Sequence, residues 1–140
     1  MIRVYVASRL ANAPMIRTLA SPHLFLCARW LQHVATGTPD DADHARRFWP
    51  EDVADAAGAD LLVVYAAPED HLRGALVEAG VAIHAGVPVV VVGDHPDYGT
   101  WRYHPGVMRV AHLEELTTLV ELIDARGIDQ MWDRERRVWR

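Results

Sequence analysis

Three acids in this 140-residue chain sit where a carboxylate could do chemistry. Asp52 is expected to open a helix, Asp60 precedes a strand, and Glu78 falls in the first turns of the helix that follows that strand. The stretch Leu72-Arg73-Gly74-Ala75-Leu76-Val77-Glu78-Ala79-Gly80 puts one carboxylate near a helix amino terminus. There the helix dipole and the free amides favour the ionised form, which a nucleophilic carboxylate requires. On position alone, Glu78 reads first as a surface acid that steadies its helix. Two carboxyls with opposed tasks need different environments, and acids on separate elements can supply them. The eight histidines show no H-x-x-x-H spacing with acids beside it, so neither a metal nor another cofactor is expected. The single cysteine, Cys27, lies in the apolar run Leu24-Phe25-Leu26-Cys27-Ala28 and reads as a buried, inert thiol.

The elements that must position these acids alternate between strand and helix. Ile2 to Ala7 is a β-branched first strand, Asn12 to Ala20 a short helix capped by Asn12, and Leu24 to Trp30 a second apolar run. Thr36 to His44 reads as a polar loop, and Trp49 to Ala57 as a helix with Pro50 at its start. Leu61 to Ala66 is a strand apolar enough to be buried on both faces. Gly74 to Ala85 is a helix closed by Gly86, followed by a strand at Val87 to Val92 and a loop from Asp94 to Gly106. Val107 to Val110 is a short fifth strand, and Leu113 to Ala125 an amphipathic helix. This order predicts one α/β domain with a doubly wound, parallel, five-stranded sheet of the Rossmann or flavodoxin-like kind and helices on both faces. Ligands of such sheets bind at the carboxyl ends of the strands. The segments to inspect are therefore those holding Ser8 and Arg9, Arg73 and Gly74, and Tyr103 and His104, all assigned to substrate binding.

Four segments in order carry a resemblance: V-Y-V-A-S at 4 to 8, W-P-E-D-V-A-D-A-A-G-A-D at 49 to 60, R-G-A-L-V-E-A-G-V-A-I-H-A-G-V-P-V-V-V-V at 73 to 92, and D-Y-G at 97 to 99. Together they resemble the nucleoside 2-deoxyribosyltransferases and the related nucleotide N-glycosidases, over roughly residues 1 to 125. The resemblance implies that Glu78, in an E-x-G-x-A pattern with Gly80 and Ala82, attacks the anomeric carbon. It implies further that Tyr5 orients Glu78, that Asp52 binds or protonates the base, and that Asp60 is structural. The loop Trp101 to Pro105 would help complete a neighbouring subunit's site. Two departures are plain. Leu72 stands six residues before Glu78, where transferases often have a base-contacting acid, and Ala7-Ser8-Arg9-Leu10 lacks the glycines of a phosphate loop. The expected activity is transfer of a deoxyribosyl group between bases. A nucleoside or nucleotide N-glycoside hydrolase and a non-catalytic nucleotide-binding protein stand as alternatives.

Composition bounds the partners. The chain is 51% hydrophobic and 24% charged with a formal net charge of −5, so it lacks the basic stripe needed to grip a nucleic-acid backbone. No apolar run approaches a membrane span and no signal peptide is visible, so a soluble cytoplasmic protein that acts on a small nucleoside or nucleotide is expected. Trp101, Trp132 and Trp139 fall in a loop and in the tail, 126 to 140, whose arginines include Arg134, Arg136, Arg137 and Arg140. Aromatics and arginine are enriched at interface centres, so the tail is expected to be a helix docked at a subunit interface of a homodimer or higher homo-oligomer, with a segment covering the site as the alternative.

Overall fold

The structure is a computed structural model that describes residues 1–33 and 42–140. Five parallel strands form one sheet in the order β2-β1-β3-β4-β5: β1 (Ile2–Ala7), β2 (Leu24–Leu26), β3 (Leu61–Tyr65), β4 (Val89–Val92) and β5 (Val107–Val110). The register places Tyr5 opposite Leu62 and Val64 opposite Val91. Val4, Val6, Leu61 to Val64 and Val89 to Val91 are all fully buried. That is why the central strands read as continuous apolar runs rather than as an alternation. Each such side chain contributes roughly 1.5–3 kcal/mol by leaving water.

Between the strands lie α1 (Ala13–Arg17), α2 (Trp30–His33), α3 (Ala42–Ala57) and α4 (Gly74–Ala85), and after β5 comes α5 (Leu113–Arg126). The chain steps from β1 outward to β2, then back across to β3, β4 and β5. With right-handed crossovers, that reversal puts α1 on one face and α3 and α4 on the other. It also opens a crevice between the carboxyl ends of β1 and β3, the switch point of the sheet. The expected doubly wound α/β fold is therefore what the chain adopts. Asp60 serves the frame as expected: it accepts from the Arg3 amide at 2.9 Å, while its own amide donates to the Arg3 carbonyl, joining β3 to β1.

Four expectations about elements need correction. The helix expected from Asn12 is only Ala13–Arg17, preceded by a 3-10 turn at Leu10–Asn12, and the Asn12 side chain makes no cap. The helix expected to begin at Trp49 begins at Ala42, with Pro50 inside it. Pro50 lacks an N–H and so removes a single intrahelical bond, while the turns before it carry Phe48 and Trp49 onto α4 and the crevice. Of the polar loop expected over Thr36 to His44, residues 36 to 41 lie outside the described residues and 42 to 44 are helical. The tail is not a helix. After a 3-10 turn at Ile128–Gln130, β6 (Trp132–Asp133) pairs antiparallel with β7 (Val138–Trp139). Trp132 is buried edge-on against Trp139, whose indole N–H donates to the Val89 carbonyl at 3.1 Å. Two of the three tryptophans set aside for an interface are thus spent inside the chain.

Among the described residues, no helix is long and apolar enough to cross a membrane.

Candidate active site

The crevice at the switch point is a cavity of about 680 Å³. One wall is the segment after β1, Ser8 to Ala11, and the facing wall is the segment after β3, His71 to Gly74. The third side comes from α2 and α3. In α3, Ala45, Phe48, Trp49 and Asp52 recur at i, i+3, i+4 and i+7, so one helical face meets the cavity. The adjacent flank of α3 is anchored by polar contacts. Asp55 takes a two-pronged contact from the Arg29 guanidinium, with Nη2 at 2.7 Å, and Glu51 meets His33 at 3.0 Å. From α4, Gly74, Ala75 and Glu78 line the floor at helical spacing. Gly74 suits this packing: a Cβ there would lie 3.0 Å from the Trp49 ring, which would have to give way by a few tenths of an ångström.

Glu78 is the fifth residue of α4, one turn deeper than a position that faces the helix amino end, and it is buried. The expectation of an ionised, dipole-stabilised surface acid is therefore corrected. Burial pushes its carboxyl up to about 8, the negative charge of Asp52 adds to this, and the Tyr5 hydroxyl opposes it. Tyr5 stands on β1 behind the cavity floor and is fully buried. Its hydroxyl lies near enough to Glu78 to favour the carboxylate, yet it has no hydrogen-bond partner of ordinary geometry. The phenol is held far above its usual range by burial, then by the charges of Glu78 and Asp52.

Asp52 does not open its helix; it lies well inside α3, carried there by the helix's early start. Burial lifts its carboxyl to about 6, with Asp55 and Glu51 adding to the shift and His33 and Arg29 opposing it. Its Oδ1 is buried without a partner. The charge of Asp52 thus bears on both Glu78 and Tyr5, and two of the three residues carry an unsatisfied polar atom. Buried polar groups seldom stay unpaired unless a ligand or water completes them.

The remaining expected site residues divide. Ser8, Arg9, Arg73 and Gly74 line the cavity. The Ser8 hydroxyl proton is already committed, donating to the Tyr65 carbonyl at 2.6 Å. Arg9 is half exposed and Arg73 is exposed. Tyr103 and His104 do not reach their own chain's cavity. Tyr103 is 64% exposed with the guanidinium of Arg109 4.8 Å from its ring centre, and His104 Nδ1 accepts from the Gly106 amide.

Residues not foreseen from sequence supply much of the lining. Trp30, Phe48 and Trp49 form an aromatic side, and Trp30 is fixed by its indole N–H to the Val6 carbonyl at 3.1 Å. His33 and His44 pack on the Phe48 ring at 3.8 and 4.2 Å between centres. The 45-48-49-52 spacing was the available signal, hidden by the expectation that Pro50 marks a helix start. Chemically, the cavity offers flat apolar surface at one side, the buried Glu78 and half-buried Asp52 carboxyls, and the side chains of Arg9, His71 and Arg73 at the other side. Comparison with family models, with curated proteins and with solved structures finds no match for this chain.

Proposed function

We propose that the chain cleaves the N-glycosidic bond of a nucleoside and transfers the deoxyribosyl group to a second base, with Glu78 as nucleophile. The observation that carries this reading is the meeting of Glu78 and Asp52 in one aromatic-sided cavity, with the Tyr5 hydroxyl behind its floor near Glu78. The base would stack beside Trp30, Phe48 and Trp49, a use of aromatic faces that tolerates different bases. The sugar would then lie over Glu78. As the bond breaks, its electron pair leaves with the base nitrogen, which takes a proton from Asp52. A Glu78 oxygen closes on the anomeric carbon, and the nitrogen of an incoming base later displaces it, returning a proton to Asp52.

The two carboxyls together hold about one proton between pH 6 and 8. In the resting site that proton resides mostly on Glu78, whereas cleavage needs it on Asp52. Positive charge developing on the sugar favours the Glu78 carboxylate and so draws the proton across. Tyr5, whose hydroxyl lies near Glu78, supports it by favouring its charged form.

A second reading has its own support. Arg9, His71 and Arg73 at the cavity side favour a substrate carrying a phosphate, and water in place of the second base would make the chain a nucleotide N-glycoside hydrolase. A homodimer, with Tyr103 and His104 offered to the neighbouring cavity, accompanies either reading. The test is to incubate pure protein with deoxynucleosides plus a second free base, and separately with deoxynucleotides. A new nucleoside supports transfer and a free base alone supports hydrolysis, while no product in any mixture overturns both.

A further inference from the structure

We propose that Asp70, which does not itself line the cavity, is a positioning residue that clamps its two facing loops together and aims Arg9 across the mouth. Asp70 is 4% exposed, and every contact of its carboxylate goes to those loops. Oδ2 accepts from the Asn12 side-chain amide at 2.8 Å and from the Ala67 backbone amide at 2.9 Å. Oδ1 faces Arg9 Nη1 at 3.4 Å. Asn12 in turn donates to the Ser8 hydroxyl at 2.9 Å, and Ser8 donates across to the Tyr65 carbonyl at the end of β3. The segment after β1 is thus tied to the segment after β3 through one carboxylate and one hydroxyl. Its cavity-lining members, Ser8 and Arg9 on one side and His71 and Arg73 on the other, inherit their spacing from that tie.

The chemistry of the three donors explains why the residue is an aspartate. All three partners bring N–H groups, so both oxygens must accept. An asparagine has one accepting oxygen and one NH₂, and either orientation sets that NH₂ against another donor. Burial alone would push the Asp70 carboxyl up, but Asn12, the Ala67 amide and Arg9 outweigh it and hold it below the ordinary range. The clamp is therefore charged under all ordinary conditions. Arg9 is only half buried and gives one nitrogen to Asp70. Its other N–H groups remain to meet an acceptor on a ligand's sugar or phosphate.

The kinetic part of the test rests on the proposed glycosidic activity; the structural part does not. On whichever deoxynucleoside or 5′-monophosphate the wild type turns over, Asp70→Asn is expected to raise KM about tenfold with kcat within about threefold, the signature of lost binding geometry. Arg9→Ala is expected to raise KM similarly. The double variant is expected to be no worse than Arg9→Ala alone, because Asp70 acts through Arg9. Multiplying effects, or a fall in kcat at constant KM, would overturn the proposal. Without substrate, NMR of the Arg9 guanidinium is expected to report restricted motion in the wild type and free motion in Asp70→Asn, while backbone spectra of both stay folded. Unchanged Arg9 motion overturns the clamp whatever the activity. A wild type that turns nothing over defeats the proposed function alone and leaves this second measurement to decide.

Discussion

A carboxyl drawn out of water is held in its neutral form unless a partner offsets the loss of hydration, and at Glu78 burial outweighs what Tyr5 supplies. This has a consequence for stability. Between its ordinary value of 4.5 and about 8, folded Glu78 holds a proton that the unfolded chain has released. Its stabilising contribution is therefore complete below about 4.5 and is lost as pH rises through about 8. Asp52 behaves likewise over a lower window that ends near 6. We expect the melting temperature of the wild type to fall from pH 6 to 9 relative to that of Glu78→Gln, which has no proton to lose; a constant gap between the two would contradict the burial described. On the proposed reading, the same two groups govern the pH dependence of the rate. With cleavage requiring Glu78 ionised and Asp52 protonated, kcat/KM is expected to be bell-shaped with limbs near 6 and 8, and Asp52→Asn should remove the alkaline limb along with most of the activity. The three residues Glu78, Tyr5 and Asp52 were legible in the sequence as a set. Their electrostatics were not, because position along a helix reports the dipole but not which side chains cover a carboxyl. Hydration lost on packing belongs to the tertiary structure.

At the scale of elements, α3 and α4 form the working pair, and Gly74 is where they come closest to the cavity. A methyl group at 74 has to move the Trp49 ring. Gly74→Ala is therefore expected to cost about 1–3 kcal/mol in urea unfolding and to raise KM about tenfold by tilting the aromatic side. Unchanged binding would show that Trp49 does not contact the substrate. The strands and α4 could be read from the chain because their local and tertiary signals agree: Val89 to Val92 is apolar, β-branched and buried. Gly86 closes α4 in the left-handed conformation, at φ 77°, as its position suggested. The start of α3 escaped notice because proline is a strong local marker of a helix's first turn, and packing of Phe48 and Trp49 overrode it. Asn12 escaped for a related reason. An asparagine before a helix signals a cap, yet here its amide serves Asp70 and Ser8, partners that only the fold brings near.

For the whole molecule, the reversal of strand order creates the site, and the tail closes the opposite end of the sheet rather than the cavity. Trp132 and Trp139 fasten the tail to β4, so Trp132→Ala is expected to destabilise the chain by about 3–5 kcal/mol without changing KM. A loss of oligomerisation with no loss of stability would instead mark the tail as an interface. Tyr103, exposed between Arg102 and Arg109, is an aromatic side chain placed to meet another copy. Sedimentation at micromolar concentration is expected to give a dimer, and mixing Glu78→Ala chains with Tyr103→Ala chains to restore part of the activity; a monomer of 15.7 kDa would refute the shared site. The central claim is that Glu78 breaks an N-glycosidic bond. Its most direct test is chromatographic measurement of base release from deoxynucleosides and deoxynucleotides by wild type and by Glu78→Gln. The account predicts base release, or exchange with an added base, by the wild type and a loss of at least about a thousandfold in the variant. Equal release by both proteins, or none by the wild type on any substrate, would contradict it.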